Sequence, residues 1–249
     1  MLFHIVLEAE NDYIILPYYY NRMIQGMLYS NMLKYSNEFG RFLHSDGYLA
    51  QNRKFKLFAF SNLLEKPIGV DKENRKLIYP KYISFFLSSI NNDLVDILME
   101  MASKQARVEL GRNKLEVLKI EVAEYQLEEV MTVKTLSPIC CYSTIQNDKK
   151  KRTIYYHPYE KEWKEIIKRN LAKKYEAITG RRKDNIEFEI EVISTPKERN
   201  IMYKSFFIKA YEGIFQLRGE KSVLELALST GLGSKNSQGF GLSIPIEKQ

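Results

Sequence analysis

Three observations predict an α+β fold. Apolar spacing switches between the two-residue and the 3.6-residue period in the order βαββαβ, that order restarts after Glu124, and a glycine-rich segment lies near the C-terminus. Two tandem ferredoxin-like (RRM-like) βαββαβ domains with a C-terminal glycine-rich loop satisfy all three, with boundaries at 1–124 and 125–249. A chain of 249 residues divides into two units of about 125, each large enough for its own core.

In the first unit LFHIVLE, residues 2–8, reads as a strand. Pro17 is expected to open a helix in which Tyr20, Ile24, Met27, Leu28 and Asn31 follow the helical period. A second helical piece over 37–44 ends at His44, and strands follow at 55–62 and 77–88. A helix near 91–104 leads to a hairpin over 106–124 that turns at Gly111, Arg112 and Asn113. The second unit opens with a strand over 130–146, a hairpin tip at NDKKKR and a strand at 152–156. Its helix, from about 160 to 178, carries an apolar stripe of Trp163, Ile167, Leu171, Tyr175 and Ile178, and Gly180 marks its end. Strands at 186–194 and 201–218, a helix near 220–229 and a last strand at 240–246 complete the order.

Composition narrows the function classes. Hydrophobic residues at 45% with 28% charged are ordinary for a globular protein, and apolar runs such as ISFFL are far too short to span a membrane. The N-terminus MLFHIVLEAEND lacks the basic start of a signal peptide. The only cysteines, Cys140 and Cys141, are adjacent and poorly placed to pair, so a reducing cytoplasm is expected. His4, His44 and His157 are scattered and no Cys-x-x-Cys or His-x-x-x-His occurs, so chemistry without metal or cofactor is expected.

The segment GLGSKNSQGFG at 231–241 brackets Lys235, Asn236 and Ser237 between the pairs Gly231/Gly233 and Gly239/Gly241. Paired glycines suit a turn that presents N–H groups to anionic oxygens. The spacing fits neither GxGxxG nor GxxxxGK[ST], which disfavours a nucleotide cofactor; on spacing alone a glycine-rich hairpin is an equal alternative. Net charge is +7, with the excess clustered in RKFK (53–56), KKKR (149–152) and GRRK (180–183). Any one cluster reads as a solvated face, but three of them with 17 tyrosines favour nucleic acid. The electrostatic grip is assigned to Arg53, Lys54, Lys149, Lys150, Lys151, Arg152, Arg181, Arg182 and Lys183, beside the glycine loop. Phe58 and Phe60 are candidates to stack bases, although aromatic strand residues are more often core.

The segments PYYYNRMIQGMLY, FLHSDGY, FKLFAFS and GLGSKNSQGFGLSI, with LSPICCY between them, resemble the CRISPR-associated repeat-processing endoribonucleases of the repeat-associated mysterious protein (RAMP) superfamily. The resemblance covers nearly the whole chain. Its glycine loop is shared across the superfamily and identifies the superfamily, not the activity. The resemblance implies metal-independent cleavage of precursor CRISPR repeat RNA, in which a ribose 2′-oxygen attacks the scissile phosphate. Mature guide RNAs result, with 2′,3′-cyclic phosphate and 5′-hydroxyl ends. Such a reaction needs a base, a positive group for the phosphorane and an acid for the departing 5′-oxygen. Matching by motif places these roles on Tyr29, His44 and Lys56, with Arg53 and Lys54 as alternative cations.

Each of the three also has a plain structural reading. His44 suits a helix C-terminus, Tyr29 a core edge and Lys56 a solvated strand position. A non-catalytic RNA-binding subunit of a CRISPR interference complex is therefore the alternative from a different class. Hand-over of guide RNA to such a complex, and a homodimer, stay open.

Overall fold

The computed structural model describes residues 1–147, 150–183 and 185–246. Strand β1 (Leu2–Pro17) turns Phe3, Ile5, Leu7 and Ala9 inward at alternate positions, as a sheet with one covered face requires. Pro17 closes this strand instead of opening a helix. It pairs with Lys76 at the last rung of the antiparallel ladder to β6 (Lys76–Ser89), a strand end where a missing N–H is tolerated. Helix α1 (Asn21–Tyr35) starts four residues later and buries Ile24, Met27, Leu28 and Asn31. Helix α2 (Asn37–Arg41) runs into a single π turn, Phe42–Asp46, so the helical piece passes through His44.

The strand expected over 55–62 is two strands. A small hairpin, β2 (Tyr48–Ala50) with β3 (Arg53–Phe55), is separated from β4 (Phe58–Phe60) by Leu57, whose φ of 55° swings the chain. Strand β5 (Gly69–Asp71), β6, helix α3 (Asn92–Ser103), β7 (Arg107–Leu110) and β8 (Asn113–Val122) complete the first half. Its sheet runs β4-β6-β1-β8-β7, with β5 alongside β6. Strands β4, β6, β1 and β8 thus take the ferredoxin-like arrangement, in which the first and third strands of the unit, β1 and β6, are inner neighbours. Helices α1 and α3 cover one face, packing Ile24, Leu28, Leu94 and Leu98 on Ile5, Phe85 and Leu87.

The second half repeats the pattern. Strand β9 (Val130–Thr135), helix α4 (Lys161–Thr179), β12 (Phe188–Val192), β15 (Ile214–Gly219), helix α5 (Lys221–Thr230) and β16 (Ser243–Pro245) form a sheet in the order β12-β15-β9-β16. Two expected strands resolve differently, because each contains a hairpin arm. The stretch 130–146 breaks around Pro138 into β9 and β10 (Tyr142–Asn147), which pairs with β11 (Lys150–Tyr155). The stretch 201–218 holds the end of β13 (Lys197–Tyr203), a turn at 204–205, its antiparallel partner β14 (Phe206–Glu212) and, beyond Gly213, β15. The two hairpins touch where Tyr155 Oη donates to the Phe207 carbonyl at 3.3 Å.

On α4, Trp163, Ile167 and Leu171 are buried as expected, but Ile178 is 39% exposed, and Asn170 and Lys174 take buried positions. The halves are tied by the Asn62 backbone N–H to the Leu136 carbonyl (3.0 Å) and by the N-terminal amine, which is held on the Ser89 carbonyl (2.7 Å), to Ser229 Oγ (3.3 Å). Phe58 and Phe60 are wholly buried between sheet and helices, which removes them as base-stacking platforms. Among the described residues no helix is long and apolar enough to cross a membrane.

Trp163 is fully buried and stacks on Phe215 with ring centroids 5.5 Å apart. Trp163→Ala is expected to lower the unfolding free energy by about 3–5 kcal/mol in a urea titration.

Candidate active site

Asn21, Gln25 and Tyr29 recur every fourth residue and so lie along one edge of α1. That edge faces the glycine-rich loop. Asn21 Nδ2 donates to the carbonyls of Gln238 (3.3 Å) and Gly239 (3.2 Å), and Gln25 Nε2 donates to the Ser237 carbonyl at 2.8 Å. Gln25 Oε1 in turn accepts from the Tyr203 hydroxyl. Burial pushes the Tyr29 phenol pKa up to about 12, with the nearby Ser237 side chain opposing the rise. Tyr29 is therefore a neutral donor at physiological pH.

The loop itself is not a hairpin. It runs through the junction of the two halves with a short 3₁₀ turn at Asn236–Gln238, and Gly231, Gly233, Gly239 and Gly241 are all buried. Gly239 shows why: its φ is +85°, and a Cβ there would stand 2.4 Å from Asn21 Nδ2 and 2.6 Å from Phe60 Cε2. The glycine serves close approach to α1 and β4. On the far side, Lys174 of α4 reaches the loop with its ammonium 2.6 Å from the Gly231 carbonyl and 2.8 Å from Asn236 Oδ1.

His44 projects from the π turn, exposed, with its ring edge-on to Tyr29 at a centroid distance of 5.7 Å. Single π turns break the helical ladder and recur at functional sites. Gly47 ends that turn with φ +66°, and its bare Cα lets the Lys56 stem lie across it; a Cβ would meet the Phe55 carbonyl at 2.5 Å and Lys56 Cδ at 3.1 Å. The Lys56 ammonium then donates to the His44 carbonyl at 3.1 Å. Burial, and next the charge of Lys54, draw the Lys56 pKa below the usual ammonium value, with Asp46 opposing. Tyr29, His44 and Lys56, expected to act together, are thus brought to one place by α1, the π turn and the β2–β3 hairpin.

Lys56 opens onto a cleft of about 480 Å³ between the hairpin, α4 and the glycine loop. Arg53, Lys54, Lys174 and Lys235 also line it, and none of its described lining residues is acidic. Lys235 lies over the rings of Tyr142 (5.1 Å) and Phe206 (5.6 Å). Lys54 bridges to Asp46 at 3.3 Å, while Arg53 is exposed at the mouth.

The other proposed RNA contacts sit apart from this cleft. Arg152 is exposed on β11, which also carries Lys150 and Lys151, and Lys149 falls outside the described residues. Lys183 is paired with Glu220 at 2.6 Å, and with Arg182 it borders a second groove of about 420 Å³ along α4; Arg181 follows the α4 C-cap. His4 stacks on Phe86, and His157 packs against Tyr211. Asn21, Gln25, Gly47, Asn170 and Lys174 escaped the sequence reading. The four-residue spacing of Asn21, Gln25 and Tyr29 was a usable signal, whereas nothing in the run AKKYE distinguishes Lys174 from a solvated lysine.

Two family descriptions match consecutive stretches, "CRISPR-associated protein Cas6, N-terminal" over residues 15–121 and "CRISPR associated protein Cas6, C-terminal" over 120–243. The chain belongs to the Cas6 family. A CRISPR-associated endoribonuclease Cas6 of Methanocaldococcus jannaschii is 25% identical over 244 residues, covering 98% of this chain and 92% of the relative. The CRISPR-associated endoribonuclease Cas6 of Pyrococcus furiosus is 26% identical over 243 residues, with 97% and 88% covered. The solved structure of a Cas6-related protein from Pyrococcus furiosus superposes with a TM-score of 0.84 at 22% identity, covering 100% of this chain and 99% of that one. The Cas6 fold thus extends over both halves.

Burial alone pulls the pKa of Lys174 in this Cas6 chain down to about 7, and no carboxylate contributes. The unfolded chain, with a lysine near 10.4, then binds more protons than the folded chain between about pH 7 and 10. Stability of the wild type relative to Lys174→Met is expected to rise with pH across that window, by at most about 1.4 kcal/mol per pH unit, and to be flat below about pH 6. Urea titrations from pH 6 to 9 measure it.

Proposed function

We propose that this chain cleaves CRISPR repeat RNA within the precursor transcript, without metal, through Tyr29, His44 and Lys56. The observation that carries the reading is the convergence of these side chains: the Lys56 ammonium rests on the His44 carbonyl while the His44 ring stands edge-on to Tyr29. The imidazole of His44, exposed on the π turn whose carbonyl holds Lys56 at the cleft, takes the proton of the ribose 2′-hydroxyl as its oxygen attacks phosphorus. The P–O5′ bond breaks, a 2′,3′-cyclic phosphate forms, and Lys56, made more acidic by burial, protonates the departing 5′-oxygen. Tyr29, held neutral, donates to a non-bridging oxygen of the phosphorane.

In this reading residues 1–124 supply the catalytic groups and 125–249 supply the glycine loop and most of the RNA grip. The cationic cleft supports it, since a lining of Arg53, Lys54, Lys56 and Lys235 without a carboxylate is suited to a phosphodiester backbone.

Wild type incubated with repeat RNA in EDTA is expected to cut it, and a single 2′-deoxy at the cut site is expected to abolish cleavage. His44→Ala should slow the single-turnover rate about 10²–10⁴-fold. Binding by the wild type without cutting would instead establish a non-catalytic RNA-binding subunit, and wild-type rates in His44→Ala would sink this site assignment. Gly47→Ala, which pushes on the Lys56 stem, is expected to slow cleavage at least about tenfold in the same assay while RNA is still bound.

A further inference from the structure

Lys174 lies in the middle of α4, 2% exposed, on a helix face otherwise built from Trp163, Ile167 and Leu171. Its ammonium has three hydrogens and three acceptors: the carbonyls of Thr230 (3.1 Å) and Gly231 (2.6 Å) and Asn236 Oδ1 (2.8 Å). Thr230 is the last residue of α5, so the cation satisfies the carbonyl end of that helix, where a positive charge is favoured. No hydrogen is left over for RNA. A methionine would fill the same space, and burying a charge there does nothing for the core that an apolar side chain would not do better. What the ammonium adds is its grip on the loop.

The grip passes onward. Asn236 uses its other amide atom, Nδ2, to hold the carbonyls of Leu232 (3.0 Å) and Phe240 (3.1 Å), which pins the two arms of the loop together. Its neighbour Ser237 accepts at its carbonyl from Gln25 of α1 at 2.8 Å, one turn before Tyr29 on the same helix edge. A continuous line of contacts therefore runs from α4 in the second half to the edge of α1 in the first.

We propose that Lys174 is a positioning residue for RNA cleavage: through Asn236 it locks the glycine-rich loop in the shape that holds Tyr29 against His44. The inference rests on the cleavage reading given above. It assigns to Lys174 no contact with the substrate.

The test compares wild type, Lys174→Met, Asn236→Ala and the double variant by amide hydrogen exchange and by single-turnover cleavage of repeat RNA at saturating protein. Each single variant is expected to speed exchange in 231–241 about tenfold or more, with β1 and β6 unchanged, and to slow cleavage by a similar factor. The double variant should be no more than about twofold slower than the slower single, because both changes break one linkage. A loop as protected as wild type in a folded Lys174→Met, or losses that multiply in the double variant, would overturn the proposal. If Lys174→Met does not fold, Asn236→Ala alone decides, and a protected loop with wild-type cleavage refutes it. Should the wild type cut no repeat RNA, the functional reading fails, while the exchange comparison still decides whether Lys174 locks the loop.

Discussion

The glycine-rich segment 231–241 is gripped from both sides, by amide side chains of α1 and by a buried ammonium of α4. The α1 grip requires bare backbone at Gly239, because a Cβ there would stand 2.4 Å from Asn21 Nδ2 and 2.6 Å from Phe60 Cε2. The segment therefore joins two ferredoxin-like units as a shared internal part. The cleft exists because the loop stands between α4 and the β2–β3 hairpin, which itself packs Ala50, Phe55 and Leu57 beside Ala177 of α4.

Local backbone irregularity does the aiming. The π turn at Phe42–Asp46, the left-handed Gly47 and the left-handed Leu57 fall within sixteen residues, and all three lie around the Lys56 ammonium and the His44 ring. Regular helix or strand through this stretch would send Lys56 along the sheet surface, away from His44. Conformations of this kind cost on the order of 1–2 kcal/mol each for a residue such as Leu57, which buried neighbours must offset. The complete burial of Phe58, Ala59 and Phe60 immediately after it provides that anchorage.

The fold was legible wherever burial follows a simple period. The stripes of α1 and α3, the β7–β8 hairpin and the long β1 and β6 strands all obey it, and the two βαββαβ rounds emerge from them. Breaks inside apolar runs were not legible: Leu57 and Gly213 interrupt strands without altering hydropathy, so a single strand was expected where the chain makes more than one. At the site, residue types and motif order singled out Tyr29, His44 and Lys56, and the structure gathers them. Lys183 was expected to grip RNA from its charge, and charge alone cannot reveal that Glu220, distant in sequence, already engages it. Lys174 is the reverse case, a cation whose burial depends on carbonyls that only the tertiary fold brings within reach.

The β10–β11 and β13–β14 hairpins lie outside the four-stranded sheet of the second half, the first between β9 and α4 and the second between β12 and β15. They lean on one another and place Tyr142 and Phe206 at the rim of the cleft. Changes in the length of such arms add little chain entropy and disturb no core layer. The architecture thus separates a packed frame from projecting arms: the side chains at the rim of the cleft hang on the arms, while the packing that gathers Tyr29, His44 and Lys56 belongs to the frame.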